Sequence, residues 1–435
     1  MTPVGQHWFN EVITRGELVD LVKQHAADTA AAETPTIVLT SAVAWDGITA
    51  RPQHFARGLA ERGWNVLFVD GPITWLSPIK NRDLRDRAWP NPPVRTLTVN
   101  PASAGQGAAD ATGSLRVLSP FATLPFGNME RAINRFNQRL LALQISHAAP
   151  GPYILLSMLP GSADLLAFLH PVASVYDCVD LHAQFPGFVR PHVVDLMEWD
   201  MVSQSRAVFA TAGNLDKRMR QWHANVTLLP NAAQTEHFAT TASAPVHPLI
   251  RELPSPRITM FGGIGSWIDQ TFLCDLADAR PHLQIVLVGP IETDVSRLRQ
   301  KPNIHLLGRQ PYGQLPQFLA GSDATLVAFN PADKVAQSVN PVKVYEYLAA
   351  NREVIATPIP ELQKLSDSLW ITHTARDAAE AIDRILAGER RMPDATERQA
   401  FVDANSWHAR VSVIDATLRH ILPVSVLAPR EELSL

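Results

Sequence analysis

The chain has 435 residues, 46% of them hydrophobic and 18% charged, with a formal net charge of −4. That length exceeds the size at which one hydrophobic core stops growing, so two domains are expected. The mildly acidic balance excludes a nucleic-acid binder held by a global basic field. The two cysteines, Cys178 and Cys274, stand too far apart for metal-type spacing. They exclude a disulfide framework and fit a reducing cytoplasm.

Residues 1–34 read as an appended amphipathic helix (Trp8, Val12, Ile13, Leu18, Leu21, Val22) ending in an alanine-rich linker. The first fifteen residues lack the basic segment and apolar run of a secretion signal. No run of about 18 apolar residues predicts a membrane span. A cytoplasmic protein is therefore expected. From Thr36 short apolar runs alternate with helical periodicity. Strands are predicted at Thr36–Thr40, Trp64–Val69, Ile154–Ser157, Ser174–Tyr176, Ala207–Ala210 and Val226–Leu229, and a helix at Pro52–Arg62. Such alternation signals a parallel sheet covered on both faces. Residues 72–128, rich in proline and in a Gly/Ala/Ser segment, read as a long excursion from it.

A linker-like stretch at Ala239–Pro256 precedes a second alternating series. Its strands are predicted at Ile258–Phe261, Ile285–Val288, Ile304–Leu307, Ala324–Ala328 and Val354–Ala356. The fold class is α/β: two doubly wound, Rossmann-like domains facing each other across a cleft. The expected divisions are 1–34, an N-terminal acceptor domain 35–245, a C-terminal donor domain 246–405, and a closing helix and tail 406–435.

Two features of the second half carry chemistry. Phe261-Gly262-Gly263-Ile264-Gly265 follows a strand and precedes a helix, so backbone amides can approach a phosphate without Cβ interference. The glycines do not spell the dinucleotide fingerprint, and no acid ends the next strand, which disfavours a nicotinamide dehydrogenase. Asn340-Pro341-Val342-Lys343-Val344-Tyr345-Glu346 opens a helix with Lys343 and Glu346 three apart on one face. An ammonium and helix-start amides suit a diphosphate, and a carboxylate suits ribose hydroxyls. A solvated surface pair is the plain alternative.

Phe261-Gly262-Gly263, Trp267-Ile268-Asp269, Val286-Leu287-Val288-Gly289-Pro290, Asn303–Gly308 and Pro341–Ala349 together resemble the donor half of GT-B glycosyltransferases. More narrowly, they are similar to bacterial family-four-type enzymes that build exopolysaccharides and cell-wall polymers. In the first half, Trp45-Asp46, Arg51-Pro52-Gln53-His54, Tyr176–Leu181, Ala210-Thr211-Ala212 and Leu229–Ala232 extend the resemblance. It implies transfer of a sugar from a nucleotide-sugar donor, with UDP as the nucleotide, to a polysaccharide or lipid-linked glycan. No nucleic-acid partner is expected.

The donor-site candidates are Gly262, Gly263, Val342, Lys343, Glu346 and the strand edge through Arg309, with Tyr312 as a stacking candidate. No Asp-x-Asp stands where a divalent metal would need it, so no cofactor and no metal are expected. Two departures from the family pattern leave the stereochemical course open, with a tilt towards inversion. Ser338 occupies the place of a second acid, and Val179 that of a histidine. An inverting reaction needs a base. Asp180 is the first candidate and Asp46 the second, each with helix capping or loop bracing as the alternative. Arg51 and His54 are acceptor-binding candidates, against a surface role for the arginine and a packing role for the histidine.

Trp75 to Arg95 mixes aromatic and aliphatic residues with Lys80, Arg82, Arg85 and Arg87, diluted by Asp83 and Asp86. That composition suits peripheral contact with the inner face of a membrane, or an ordinary basic loop. Two other functions suit the same architecture. A nucleotide-sugar epimerase or hydrolase would consume donor with no acceptor present. A degenerate GT-B protein would bind nucleotide or glycan without turnover.

Overall fold

A computed structural model describes residues 35–422 apart from 48, 81–83, 85–93, 99–112, 150, 186 and 393. The N-terminal extension 1–34, most of the basic stretch 80–93 and the tail 423–435 lie outside the described residues.

The first half forms an eight-stranded sheet: β1 (Thr36–Thr40), β2 (Asn65–Val69), β3 (Val94–Leu97), β4 (Leu115–Leu118), β5 (Tyr153–Ser157), β6 (Ala173–Cys178), β7 (Ala207–Ala210) and β8 (Val226–Leu228). Their order is β3-β4-β2-β1-β5-β6-β7-β8. Every pairing is parallel except β3 with β4. The second half places β9 (Arg257–Phe261), β10 (Gln284–Val288), β11 (Ile304–Leu306), β12 (Ala324–Val327), β13 (Val354–Ala356) and β14 (Trp370–Ile371) in the order β11-β10-β9-β12-β13-β14, all parallel. That is the 3-2-1-4-5-6 order of dinucleotide-binding folds. Its ligand crevice lies beyond the carboxyl ends of the strands, where the order reverses. The reversal falls beside β1 in one sheet and beside β9 in the other.

Continuous burial explains the apolar strand sequences. β1, β5, β6 and β10 are buried at every position, as expected of parallel strands with helices on both faces. The stretch 72–128 proves to be more than an excursion, because it supplies β3 and β4. Leu115 to Leu118 pair in register with Val66 to Val69, and the antiparallel β3 closes that edge. The stretch Ala239–Pro256 is likewise no loose tether. Leu229 and Ala232 belong to the first core, whereas Phe238 and Ile250 are buried in the second.

Three helices set up the cleft, α1 (Arg51–Glu61), α3 (Val342–Ala349) and α4 (Trp407–Ile421), while α2 (Arg131–Ala148) packs on the first sheet away from it. α1 starts without a Ser, Thr or Asp cap; Gln53 Oε1 instead accepts from Ala50 N at 3.1 Å. α4 comes from the end of the chain yet packs Trp407, Val411, Ile414 and Leu418 into the first core. Trp64 Nε1 donates to Asp415 at 2.7 Å, and Ala233 bridges Ser406. The chain thus passes twice between the halves. Asn231 fastens them further by donating from its amide nitrogens to Asn340 Oδ1 (2.9 Å) and Asn340 O (2.7 Å).

Candidate active site between the two sheets

Two cavities, of about 630 and 440 Å³, lie between the carboxyl ends of the two sheets. They share a wall made of Ala50, Gly262, Gly263, Val342 and Lys343. The larger extends past Pro290, Arg309, Tyr312 and Glu346 to His54 and Trp407. The smaller runs under Ser41, Asp180, His182, Phe185 and Asn340.

The shared wall follows from local sequence. Gly262 leaves β9 with φ +110°, a conformation L side chains rarely adopt, and a Cβ there would stand 2.8 Å from Lys343 Nζ. Glycine is therefore what lets the ammonium lie against the turn. Gly262 N donates to Val288 O and Gly289 N donates to Gly308 O, so three neighbouring strand ends are laced at the rim. Pro341 precedes the first turn of α3, whose leading amides have no partners within the helix. Lys343 lies in that turn with Nζ 5.0 Å from the Phe329 ring centroid. Burial lowers its pKa to about 8, partly offset by Glu346, so it is mostly an ammonium at neutral pH.

One turn on, Glu346 is buried and accepts a hydrogen bond from Tyr312 Oη at 2.9 Å. Burial raises its pKa to about 7 against the pull of Tyr312 and Lys343. Lys343 and Glu346 thus share one helix face, as their spacing predicted, and that face lines the larger cavity. Tyr312 itself is stacked on His237, with ring centroids 5.0 Å apart. Arg309 stands exposed on the rim of the larger cavity.

Across the gap, Asp180 follows β6 and lines the smaller cavity with Lys343. Its carboxylate has no hydrogen-bond or ion-pair partner among the described residues, and desolvation raises its pKa to about 7. A half-ionised carboxyl at neutral pH is poised for proton transfer.

Of the remaining first-half candidates, Arg51 and His54 line the cavities and Asp46 does not. Asp46 is 70% exposed, pairs with Arg95 at 2.8 Å and lines neither cavity. Asp46 thus lies outside the two cavities, and it does not cap α1. Arg51 touches the smaller cavity, but its guanidinium is spent on the protein. Nε and Nη2 bind Asp177 at 2.7 and 2.9 Å, and Nη1 reaches Pro230 O and Asn231 Oδ1 at 3.3 Å. An acceptor phosphate would have to break a buried bidentate pair, so Arg51 is a brace of the cleft floor. His54 stacks on Trp407 at 4.8 Å; burial, helped by Arg57, lowers its pKa to about 3. It is a neutral ring in the wall of the larger cavity. Asp269, after the glycine turn, caps the next helix by accepting from Phe272 N at 2.9 Å.

Two wall residues escaped the sequence reading. The His182 Nε2 is buried without a partner, and the Met158 backbone is the ring's polar neighbour. Desolvation lowers its pKa to about 4, so the ring is neutral, and it lines the smaller cavity with Asp180. Trp407 Nε1, in the wall of the larger cavity, is likewise buried and unmatched. The order Asp180-Leu181-His182 offered a weak hint of the first. Nothing local pointed to the second. Among the described residues no group of three His, Cys, Asp or Glu side chains is arranged to hold a metal ion, and no helix is long and apolar enough to cross a membrane.

Residues 266–419 match the family model described as glycosyl transferase-like. The chain is similar to the putative teichuronic acid biosynthesis glycosyltransferase TuaH of Bacillus subtilis (strain 168), with 24% identity over 231 residues. That stretch covers 50% of this chain and 57% of the relative's length. Among solved structures, sucrose-phosphate synthase from Thermosynechococcus elongatus aligns with TM-score 0.62 and 15% identity over 89% of this chain and 99% of its own. Alpha,alpha-trehalose 6-phosphate synthase from Burkholderia multivorans aligns with TM-score 0.62 and 12% identity, covering 92% and 99%. Anabaena HepE in complex with UDP-glucose aligns with TM-score 0.58 and 13% identity, covering 89% and 100%. At these identities the likeness shows the fold, which is GT-B.

Proposed function

We propose that this GT-B-fold chain is a glycosyltransferase that moves a hexose from a nucleotide-sugar, a UDP-sugar by preference, to a polysaccharide or lipid-linked glycan. The observation that carries the reading is the placement of Lys343 and Glu346 on one buried helix face, between two sheets and against the Gly262 turn. HepE in its UDP-glucose complex and TuaH's description point the same way.

In this reading the nucleoside occupies the larger cavity, with Glu346 accepting from the ribose hydroxyls and Tyr312 and Arg309 near the base. The diphosphate lies at the shared wall against Lys343, Gly262, Gly263 and the first amides of α3 beginning at Val342. As the anomeric carbon separates from the diphosphate, negative charge grows on the departing oxygens. Those preorganised donors stabilise it. The sugar fills the smaller cavity. The acceptor oxygen bonds to the anomeric carbon as the carbon–diphosphate bond breaks, and Asp180 takes the acceptor's proton. Charge stabilisation rests on Lys343 and backbone amides, so turnover is expected to need no metal.

Thermal stabilisation by UDP-, GDP- and dTDP-sugars tests the donor class, since a ligand that binds only the folded state raises the melting temperature. Stabilisation by UDP-sugars, followed by transfer to a glycan acceptor in the presence of EDTA, is the expected result. Absence of stabilisation by any donor removes the reading. Consumption of donor without acceptor would assign an epimerase or hydrolase instead. Loss of turnover on chelation would refute the metal-independent part alone.

A further inference from the structure

A third cavity, of about 300 Å³, opens at the carboxyl ends of β1, β2 and β4, and no step of the proposed transfer uses it. It adjoins the cavity of Asp180, because Ser41, just past β1, lines both. That volume is at the low end of the roughly 300–1,000 Å³ range of small-molecule pockets. The polar part of the lining is almost free of charge. Among the described residues that form it, Asp70 is the single ionisable one, and no Lys, Arg or His takes part. Both Asp70 oxygens already accept hydrogen bonds, from Trp45 N at 2.7 Å and Ser119 Oγ at 2.6 Å. The other polar groups are hydroxyls and amides, among them those of Ser77, Asn128 and Ser162. Gln138 Oε1, contributed by α2, is buried without a hydrogen-bond partner. Such an acceptor costs free energy that a ligand hydroxyl would recover.

The apolar part holds an aromatic ring in an unusual place. Phe126 has φ +70°, the left-handed region that a bulky side chain rarely enters. Met129 N and Glu130 N both donate to Phe126 O at 2.9 Å, and the ring meets Phe188 edge to face with centroids 5.1 Å apart. Strain of this kind persists where the surroundings fix it, and it concentrates at ligand sites. Here it leaves the ring 38% exposed at the cavity. The electron-rich face of an aromatic ring attracts weakly positive C–H groups, which line one side of a pyranose. Hydroxyls, amides and an open aromatic face without a cation suit an uncharged sugar. A uronate or a phosphorylated sugar would bring a second negative charge beside Asp70 with nothing to pair it.

We infer that this cavity binds an uncharged sugar unit and refuses an acidic one. Resting on the transfer reading above, that unit belongs to the acceptor and lies next to the ring glycosylated beside Asp180. Saturation-transfer NMR on the full chain without donor tests the site. The probes are the methyl glycosides of glucose, galactose, mannose and N-acetylglucosamine, with methyl glucuronide and methyl galacturonide. At least one neutral glycoside is expected to bind, and its uronide about tenfold or more weaker. Phe126→Ala should weaken the neutral ligand about tenfold, and Gln138→Leu about fivefold, with melting temperatures confirming that both variants fold. The two variants separate this cavity from the one beside Asp180. Absence of binding by every neutral glycoside overturns the inference. So does a uronide held as tightly as its neutral parent, or binding unchanged in both variants. Stabilisation by UDP-sugars of a chain that binds no glycoside would sink this site alone. Glycoside binding without stabilisation by any donor would keep the sugar site and remove the transfer reading.

Discussion

Replacing Glu346 tests the donor site most directly. One of its oxygens accepts from Tyr312 at 2.9 Å, which leaves the other for a ribose hydroxyl. A hydrogen bond to a charged acceptor contributes about 1.5–3 kcal/mol, and a second hydroxyl sharing the same carboxylate adds less. Glu346→Ala should therefore weaken UDP-glucose binding by about 2–4 kcal/mol, or roughly 30- to 1,000-fold. Glu346→Gln keeps an oxygen for Tyr312 but loses the charge, and should cost about tenfold. The raised pKa of about 7 adds a signature. If only the ionised carboxylate grips the ribose, wild-type affinity should improve about eightfold from pH 6 to pH 7.5, and the Gln variant should lack that slope. UDP-glucose suits the measurement because its diphosphate diester does not titrate there. Stability moves oppositely. The folded state holds this proton more tightly than the unfolded chain, so unliganded wild type loses stability as pH rises from about 4.5 to about 7. The Gln variant escapes that loss, and should be the more stable form above pH 7 by on the order of 2–3 kcal/mol. Calorimetric titration and urea unfolding at both pH values decide the matter. A Gln variant with affinity within twofold of wild type and the same pH slope would refute a ribose role for Glu346.

Three further outcomes follow from the geometry. Asp180→Asn should lower kcat by about 10²- to 10⁴-fold with UDP-glucose affinity nearly unchanged, and wild-type kcat should rise with pH through about 7 as the carboxyl ionises; near-wild-type turnover would move the base elsewhere. His182→Ala removes a wall side chain of the proposed sugar cavity, so it should weaken UDP-glucose about tenfold while leaving UDP untouched; equal losses for both ligands would place the ring outside the sugar's reach. Arg51→Met leaves Asp177 buried without its partner and should destabilise the fold by about 3–5 kcal/mol, read from urea midpoints, and a stable variant with a raised acceptor KM would restore the acceptor role that the structure takes from Arg51.

How much was legible in the chain depended on how far apart the interacting groups lie. Fully buried parallel strands need unbroken apolar runs, and a helix face needs residues three or four apart. Thr36–Thr40, the Gly262 turn and the Lys343–Glu346 pair are such local features, and each could be read without coordinates. β3 and β4 escaped because they are four-residue strands in a proline-rich stretch, one of them a half-buried edge with an arginine and a threonine, so burial left little periodic signal. The roles of single polar residues were hidden for a different reason. Arg51 meets Asp177 across 126 positions, and Asp46 meets Arg95 across the loop that β3 closes. Whether an arginine is a ligand or a brace depends on which carboxylate the fold delivers to it. Trp407 meets His54 and Phe55 from the other end of the chain, so its place in the cavity wall had no local signal. Local sequence thus settles backbone conformation and facing. Desolvation and partnership, which determine pKa and chemical availability, arise only when distant segments pack together.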